Sequence, residues 1–305
     1  MNQEAKYNIL EISDEQVLET EQLGSKSKFW ISIGAEDEEN KEQEWLFKIP
    51  RENTGEHWAE KVAAEVAELL DIPCADIELA KFRSTRGSCS KSFINQEKHP
   101  ELIHGNEILA GRVLGYDKEK KYGQSDHTYA NIRNAIAKMG SDTESQRALK
   151  HFAGYIVLDG LIGNTDRHHE NWAFLKWTDK QKQTHQVIAP TFDHASSLGR
   201  ELLDEKRELY LKENRVEWYI NRGQGAIFAE PDDKNGLNPF GLLEFAYEQH
   251  PDIFQPWLVK TQDVDSEQFE QILNRVPDSF ISGLERKFAL RMLEINLNRL
   301  KQLSE

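Results

Sequence analysis

The periodicity of the apolar residues changes partway along this 305-residue chain, and that change limits the folds open to it. Residues 7 to 83 carry short alternating runs, "FWISIG" and "EWLFKIP", then "EHWAEKVAAEVAELLDIP", then "ADIELAKF". Alternation puts successive side chains on opposite faces of a strand. In the third run Trp58, Val62, Glu65/Val66 and Leu69 recur instead at helical spacing, with Pro73 beyond the end as a stop. The predicted order is β-β-α-β. From about residue 128 the patterns become long and helical: "TYANIRNAIAKMG", "SQRALKHFAGYIVLDGLIGN", "PFGLLEFAYEQH", "SEQFEQILNRV" and "LERKFALRMLEINLNRLKQL". Residues 84 to 127 read as the connection between the two textures. The expected architecture is α+β, a small sheet-rich lobe joined to a larger, mostly helical one.

Composition narrows the function classes. With 38% hydrophobic and 10% aromatic residues the chain is globular and long enough for a substantial core. No stretch approaches the roughly 18 uninterrupted apolar residues of a membrane span. The opening "MNQEAKYNILEISDEQ" lacks the apolar centre of a signal peptide, so the expected location is the cytoplasm, or outside the cell only by an export route the sequence does not reveal. A net charge of −15 argues against direct nucleic-acid binding. Cys74 and Cys89 lack paired spacing, which supports neither a disulfide framework nor a thiolate zinc site. The acids of "GAEDEENKEQE" read as a solvated turn between strands.

The chemistry gathers after the apolar run "YIVLDGLI", in "GNTDRHHENWAFL". Asp166 and Asn171 stand five positions apart on a loop between a helix and the strand-like "WAFLKW", and a second apolar run, "VIAPTFDHASSLG", leads to Asp193. Strands over 172–177 and 187–192 would form a hairpin that brings Asn171 and Asp193 together. Phosphoryl transfer needs a carboxylate to orient the attacking hydroxyl, with an amide and a second carboxylate to hold magnesium. Asp166, Asn171 and Asp193 fit those roles. Lys48, mid-strand in "WLFKIP", would be costly there as a bare ammonium, and Glu60 and Glu65 on the following helix are the candidate partners. In "QLGSKSKFWISIG", Gly24 lies on a small polar loop whose backbone amides could approach phosphate oxygens.

Together, "GNTDRHHENWAFL" and "PTFDHASSLGREL" resemble the HipA-like serine/threonine kinases. The resemblance covers about residues 20 to 215, where "LGSKSKFW" is similar to the family's phosphate loop, "FKIP" to its lysine strand and "AEKVAAEVAELLDIP" to its following helix. It implies a two-lobed protein-kinase-like fold, with an N-lobe over residues 1–96 and a helical C-lobe over 97–305. It also implies ATP- and Mg2+-dependent transfer of the γ-phosphoryl group to serine or threonine of a protein. Asp166 would orient the hydroxyl, and Asn171 and Asp193 would hold Mg2+. Lys48, paired with Glu60 or Glu65, would contact the phosphates. Gly24, Ser25, Lys26, Ser27 and Lys28 would form the phosphate loop, and the adenine would rest against the connection near Ser92 to Ile94, at Phe93 and Ile94. Arg167 and His168 would support the catalytic loop, with His168 buried and His169 at the surface. Ser25 or Ser27 is the expected autophosphorylation site. The family includes toxins paired with DNA-binding antitoxins, so an antitoxin joins the protein substrate among the expected partners. The chain resembles short members lacking an extra N-terminal subdomain. Asp193 is followed by histidine and alanine rather than phenylalanine and glycine, so control by a flipping aromatic is not expected.

Three rival readings remain. Phosphatidylinositol kinases share the D-R-H-x-x-N order, but the chain has no apolar anchor or polybasic surface for a membrane. A metal-dependent phosphohydrolase would hold metal directly with Asp166, His168, His169, Asp193 and His194, and it leaves Asn171, Lys48 and Gly24 unexplained. A catalytically dead nucleotide-binding protein is disfavoured because every expected polar position is filled.

Overall fold

The computed structural model describes residues 5–21, 28–34, 43–94 and 101–303. Strands β1 (Ile9–Ile12), β2 (Val17–Glu21), β3 (Lys28–Ile33), β4 (Gln43–Lys48), β5 (Ile77–Phe82) and β6 (Thr85–Lys91) form a six-stranded sheet in the order β1-β5-β6-β4-β3-β2. Neighbours run antiparallel except β1 and β5. Helix α1 (Glu56–Leu69) packs on β5 and β6. Its Trp58, Val62 and Val66 are fully buried along one stripe, and the small Ala59 and Ala63 let the helix be covered on a second side as well.

The sheet therefore holds more strands than the predicted β-β-α-β order, and β6 lies within residues read as a connection. The reason is that β6, "TRGSCSK", has no large apolar residues to alternate. Both its faces are buried by small residues: Gly87, whose missing side chain leaves room for the Phe47 ring, and Cys89 on one, and on the other, toward α1, Ser88, which bonds Glu60.

The larger lobe contains α2 (Gly105–Ala110), α3 (Tyr129–Ile136), α4 (Asp142–Ile162), α5 (Asp204–Lys212), α6 (Val216–Arg222), α7 (Pro239–Gln249), α8 (Pro251–Gln262), α9 (Ser266–Arg275) and α10 (Gly283–Leu303). Helix α4 is its axis, touching α7, α8 and α10. Local chemistry sets its ends. Ser141 and Glu144 form a reciprocal capping box at the start, and Gly163 closes the end in the left-handed conformation (φ 66°). A second, antiparallel sheet of β7 (Glu101–His104), β8 (Ala173–Thr178) and β9 (Thr184–Ile188) lies beside it. The expected hairpin is thus present, but its second strand ends earlier than predicted, because Pro190 cannot donate to the ladder and restricts the residue before it.

The lobes share one continuous core, in which residues of α1 pack with residues of α4 and α9. The chain's early segment adds to the join: the Tyr7 N–H donates to Arg275 O at 2.8 Å and its hydroxyl to Glu65 at 2.9 Å. The expected boundary between residues 96 and 97 falls outside the described residues. Both cysteines are free thiols, and no helix among the described residues is long and apolar enough to cross a membrane.

Candidate active site

Lys48 ends β4, directly across from Lys28 at the start of β3. Its ammonium donates to Glu60 Oε1 at 2.6 Å and to Asp193 Oδ1 at 3.3 Å. Glu60 is fully buried, and its other oxygen accepts from Ser88 Oγ at 2.8 Å. Burial alone would lower the lysine pKa; the Asp193 and Glu60 carboxylates outweigh it and raise the pKa above the ordinary lysine value. Glu65, the other sequence candidate, faces away from this group and pairs with Lys61 at 2.8 Å.

The loop carrying Asp166 starts at the capped end of α4. Asp159, one turn before that end, is buried and takes a two-pronged contact from Arg167, Nε to Oδ2 and Nη2 to Oδ1, each at 2.8 Å. Asn164 Nδ2 donates to the same carboxylate at 2.8 Å. Arg167 Nη1 donates to Asn171 O at 2.7 Å, which closes the loop on itself. The Asp166 carbonyl accepts from the His168 N–H at 2.7 Å and from Asn171 Nδ2 at 2.6 Å. With its amide nitrogen committed, Asn171 keeps Oδ1 as its remaining acceptor. Asp166 Oδ2 lies 3.3 Å from Ser196 Oγ.

The histidines serve the scaffold. His168 is buried, as expected, and its Nδ1 accepts from the Glu170 N–H at 3.1 Å; burial first, then the Lys121 ammonium, push its pKa down to about 3. His169, expected at the surface, is only 1% exposed. The segment around α2 folds over it, with the Asn106 N–H bonded to His169 O at 2.9 Å and Tyr116 Oη 2.8 Å from His169 Nδ1. His194 is fully buried, its Nε2 2.8 Å from Thr191 Oγ1, and burial holds its pKa well below the usual histidine range. Among the described residues no group of three or more His, Cys, Asp and Glu could hold a metal, so the direct-ligand cluster of the phosphohydrolase reading is not assembled.

Asp193 occupies the left-handed backbone region (φ 59°), which a short polar side chain tolerates and which occurs often at functional sites. Two residues earlier, Thr191 is stitched to the segment after α1, its N–H to Pro73 O at 2.8 Å and its carbonyl accepting from the Ala75 N–H at 2.9 Å. Asp193 is thereby delivered to the seam between the lobes. Phe93 and Ile94 pack at that seam against Ala173, Leu175, Ala189 and Phe192. Gly24, Ser25, Lys26 and Ser27 lie outside the described residues. Sequence reasoning missed Asp159, Ser88, Ser196 and Arg200. A lone acid inside "YIVLDGLI" is costly to bury unpaired and could have marked Asp159; the other three carry no comparable signal.

The model of the HipA-like C-terminal domain matches residues 21–238 of this chain. The chain belongs to the HipA-like family. This HipA-like protein is similar to the solved structure of a Helicobacter pylori proinflammatory kinase, CtkA, with a TM-score of 0.73 and 20% identity over 98% of this chain and 96% of that one. It is also similar to Shewanella oneidensis MR-1 HipA, solved with HipB and its operator DNA, with a TM-score of 0.57 and 13% identity over 96% of this chain and 68% of that one. No curated protein matches the chain at a significant level. The fold is the two-lobed, protein-kinase-like α+β architecture that this CtkA kinase and this HipA share.

Proposed function

We propose that this protein is a kinase that uses ATP and Mg2+ to phosphorylate serine or threonine of a protein. The reading rests on Lys48, held between Glu60 and Asp193 at 2.6 and 3.3 Å where the two lobes meet. A cation so placed suits the phosphates of a nucleotide. Asp193 and Asn171 offer a carboxylate and an amide oxygen, hard donors of the kind Mg2+ takes. When bound, Mg2+-ATP supplies the γ-phosphoryl group and offsets its charge. Phe93 and Ile94 would flank the adenine, and Gly24, Ser25, Lys26, Ser27 and Lys28 would cover the phosphates. Asp166 would orient the acceptor hydroxyl and take its proton as the new O–P bond forms and the bond to the leaving diphosphate breaks. A cavity of about 220 Å³ opens beside Asp166, lined by Lys121, Tyr122, Gln224 and Lys234 among others, and gives an acceptor segment room to approach.

The proposal extends to a division into an N-lobe over 1–96 and a C-lobe over 97–305, to a cytoplasmic location, and to self-modification at Ser25 or Ser27. It also includes a DNA-binding antitoxin partner, supported by the similarity to a HipA solved with HipB and DNA.

Incubation with γ-labelled ATP and Mg2+, offering casein and phosphoinositide vesicles side by side, tests the reading. Label should appear on casein or on the protein itself, and Asp166→Asn should lower transfer by about 10²- to 10⁴-fold while Mg2+-ATP affinity holds. Label on lipid alone would make it a lipid kinase, free phosphate without transfer a hydrolase. Near-normal turnover by Asp166→Asn would remove the assigned role.

A further inference from the structure

Helix α1 points two buried carboxylates at the site, Glu60 and, one turn earlier, Glu56. Glu60 holds Lys48. Glu56 reaches instead to the segment that follows Asp193. Its Oε1 forms an ion pair with Arg200 Nη1 at 3.1 Å, not aligned as a hydrogen bond, and its Oε2 accepts from the Arg51 N–H at 3.0 Å. The backbone reinforces the link, since the Gly55 N–H donates to Arg200 O at 2.8 Å. From Arg200 the contacts continue inward. Nη2 donates to Ser196 Oγ at 3.0 Å, and Ser196 Oγ stands 3.3 Å from Asp166 Oδ2.

The direction of these bonds is set by chemistry. A guanidinium can only donate, so Arg200 occupies a lone pair of the Ser196 oxygen; an ionised carboxylate can only accept, so the serine proton is directed at Asp166. An oriented donor at Oδ2 restricts rotation of the carboxylate. We infer that Ser196 and Arg200 are positioning residues for Asp166, and that Glu56 ties them to helix α1. One helix then sets both halves of the site, Lys48 through Glu60 and Asp166 through Glu56, Arg200 and Ser196. A displacement of α1 would disturb nucleotide and acceptor sides together. The inference deepens the kinase reading and rests on Asp166 being the residue that orients the acceptor hydroxyl.

The alternative is that Arg200 only staples the lobes together. Three measurements separate the two: single-turnover transfer from γ-labelled Mg2+-ATP to casein, Mg2+-ATP affinity by calorimetry, and the 13C resonance of the Asp166 carboxylate at one fixed pH. Ser196→Ala should keep Mg2+-ATP affinity while slowing transfer about tenfold to a hundredfold, the usual range for losing a hydrogen bond to a charged group. The lost donor should also move the Asp166 carboxylate resonance. Ser196→Thr keeps a hydroxyl and should restore most of the rate. Arg200→Ala takes one of two guanidinium partners from the buried Glu56, leaving Arg51, and can destabilise the protein, so Arg200→Lys serves beside it: it keeps the charge near Glu56 but lacks the fork that also reaches Ser196. Arg200→Lys should slow transfer and move the Asp166 resonance in the same way, and adding Ser196→Ala to it should change little. A Ser196→Ala protein with wild-type transfer and an unmoved Asp166 resonance would overturn the inference. Wild-type protein that transfers no phosphate would instead defeat the kinase reading, and the NMR comparison, which needs no turnover, still decides whether Ser196 acts on Asp166.

Discussion

Lys48 and Glu60, on a strand and the helix after it, meet Asp193 from more than 130 positions away across the seam between the lobes, whereas Asp159, Asn164, Arg167 and Asn171, which tie the Asp166 loop to the end of α4, lie within residues 159 to 171. The solvent exposure of the two regions differs as well. Asp193 is 34% exposed at its side chain, while Asp159 and Arg167 are almost completely buried. A buried, fully paired network holds one geometry and fails as a unit, because removing one member leaves another charge without water or partner. A charge facing the seam keeps part of its hydration, so its loss is felt in ligand binding more than in folding. The fold thus ties the Asp166 loop down on buried charges and leaves Asp193 partly open to solvent at the seam.

The largest effect that tests this contrast is expected from Asp159→Ala. It strands the Arg167 guanidinium in the core and should cost about 3–5 kcal/mol of stability, read from urea unfolding. A loss under about 1 kcal/mol would mean that the loop is not held by that pair.

Asp193→Ala should behave in the opposite way. Its unfolding free energy should fall by less than about 1 kcal/mol, since the pair is partly solvated, while Mg2+-ATP affinity drops by about tenfold or more if Asp193 is the carboxylate that would hold Mg2+. Calorimetry in saturating Mg2+ checks the second half. Equal affinity for variant and wild type would place the metal elsewhere.

The smallest effect is on pH dependence. His127 and His168 are buried neutral, burial being the main cause, with pKa values pushed from the usual 6.5 down to about 3. In the unfolded chain they take up protons below about pH 6.5, which the folded protein resists until about pH 3. Their contribution to stability is therefore present above 6.5 and lost as pH falls through that window, by up to about 1.4 kcal/mol per pH unit for each imidazole. Lys48, with its pKa raised, does not titrate there, whereas His57 on α1, which burial pushes down to about 4, adds to the same acid loss. The melting temperature should be level above pH 7 and decline below 6.5; a level profile down to pH 5 would show that these rings are not held neutral by the fold.

Much of the loop was legible because its determinants are local. The acid and the asparagine five positions apart lie within one loop, where the Asp166 carbonyl accepts directly from the Asn171 amide. The burial cost of a lysine inside a strand pointed to a helix carboxylate, yet choosing Glu60 over Glu65 required the rotation of α1 against β6, where Ser88 receives Glu60. Strand β6 escaped notice because its inward positions are small rather than apolar. His169 was misplaced because its cover comes from Asn106 and Tyr116, more than fifty residues earlier, and not from its neighbours.

By itself, then, the sequence determined where helices start and stop, which half is sheet-rich and which polar residues crowd one loop, since caps, periodicity and the cost of burying charge operate over a few residues. Only the tertiary structure decided which carboxylate meets Lys48, that His169 is buried, and that Glu56, Arg200 and Ser196 line up behind Asp166. Most of those contacts join residues 30 to 145 positions apart, and their partners are chosen by how the sheet, α1 and the segment after Asp193 pack together, which no local pattern encodes.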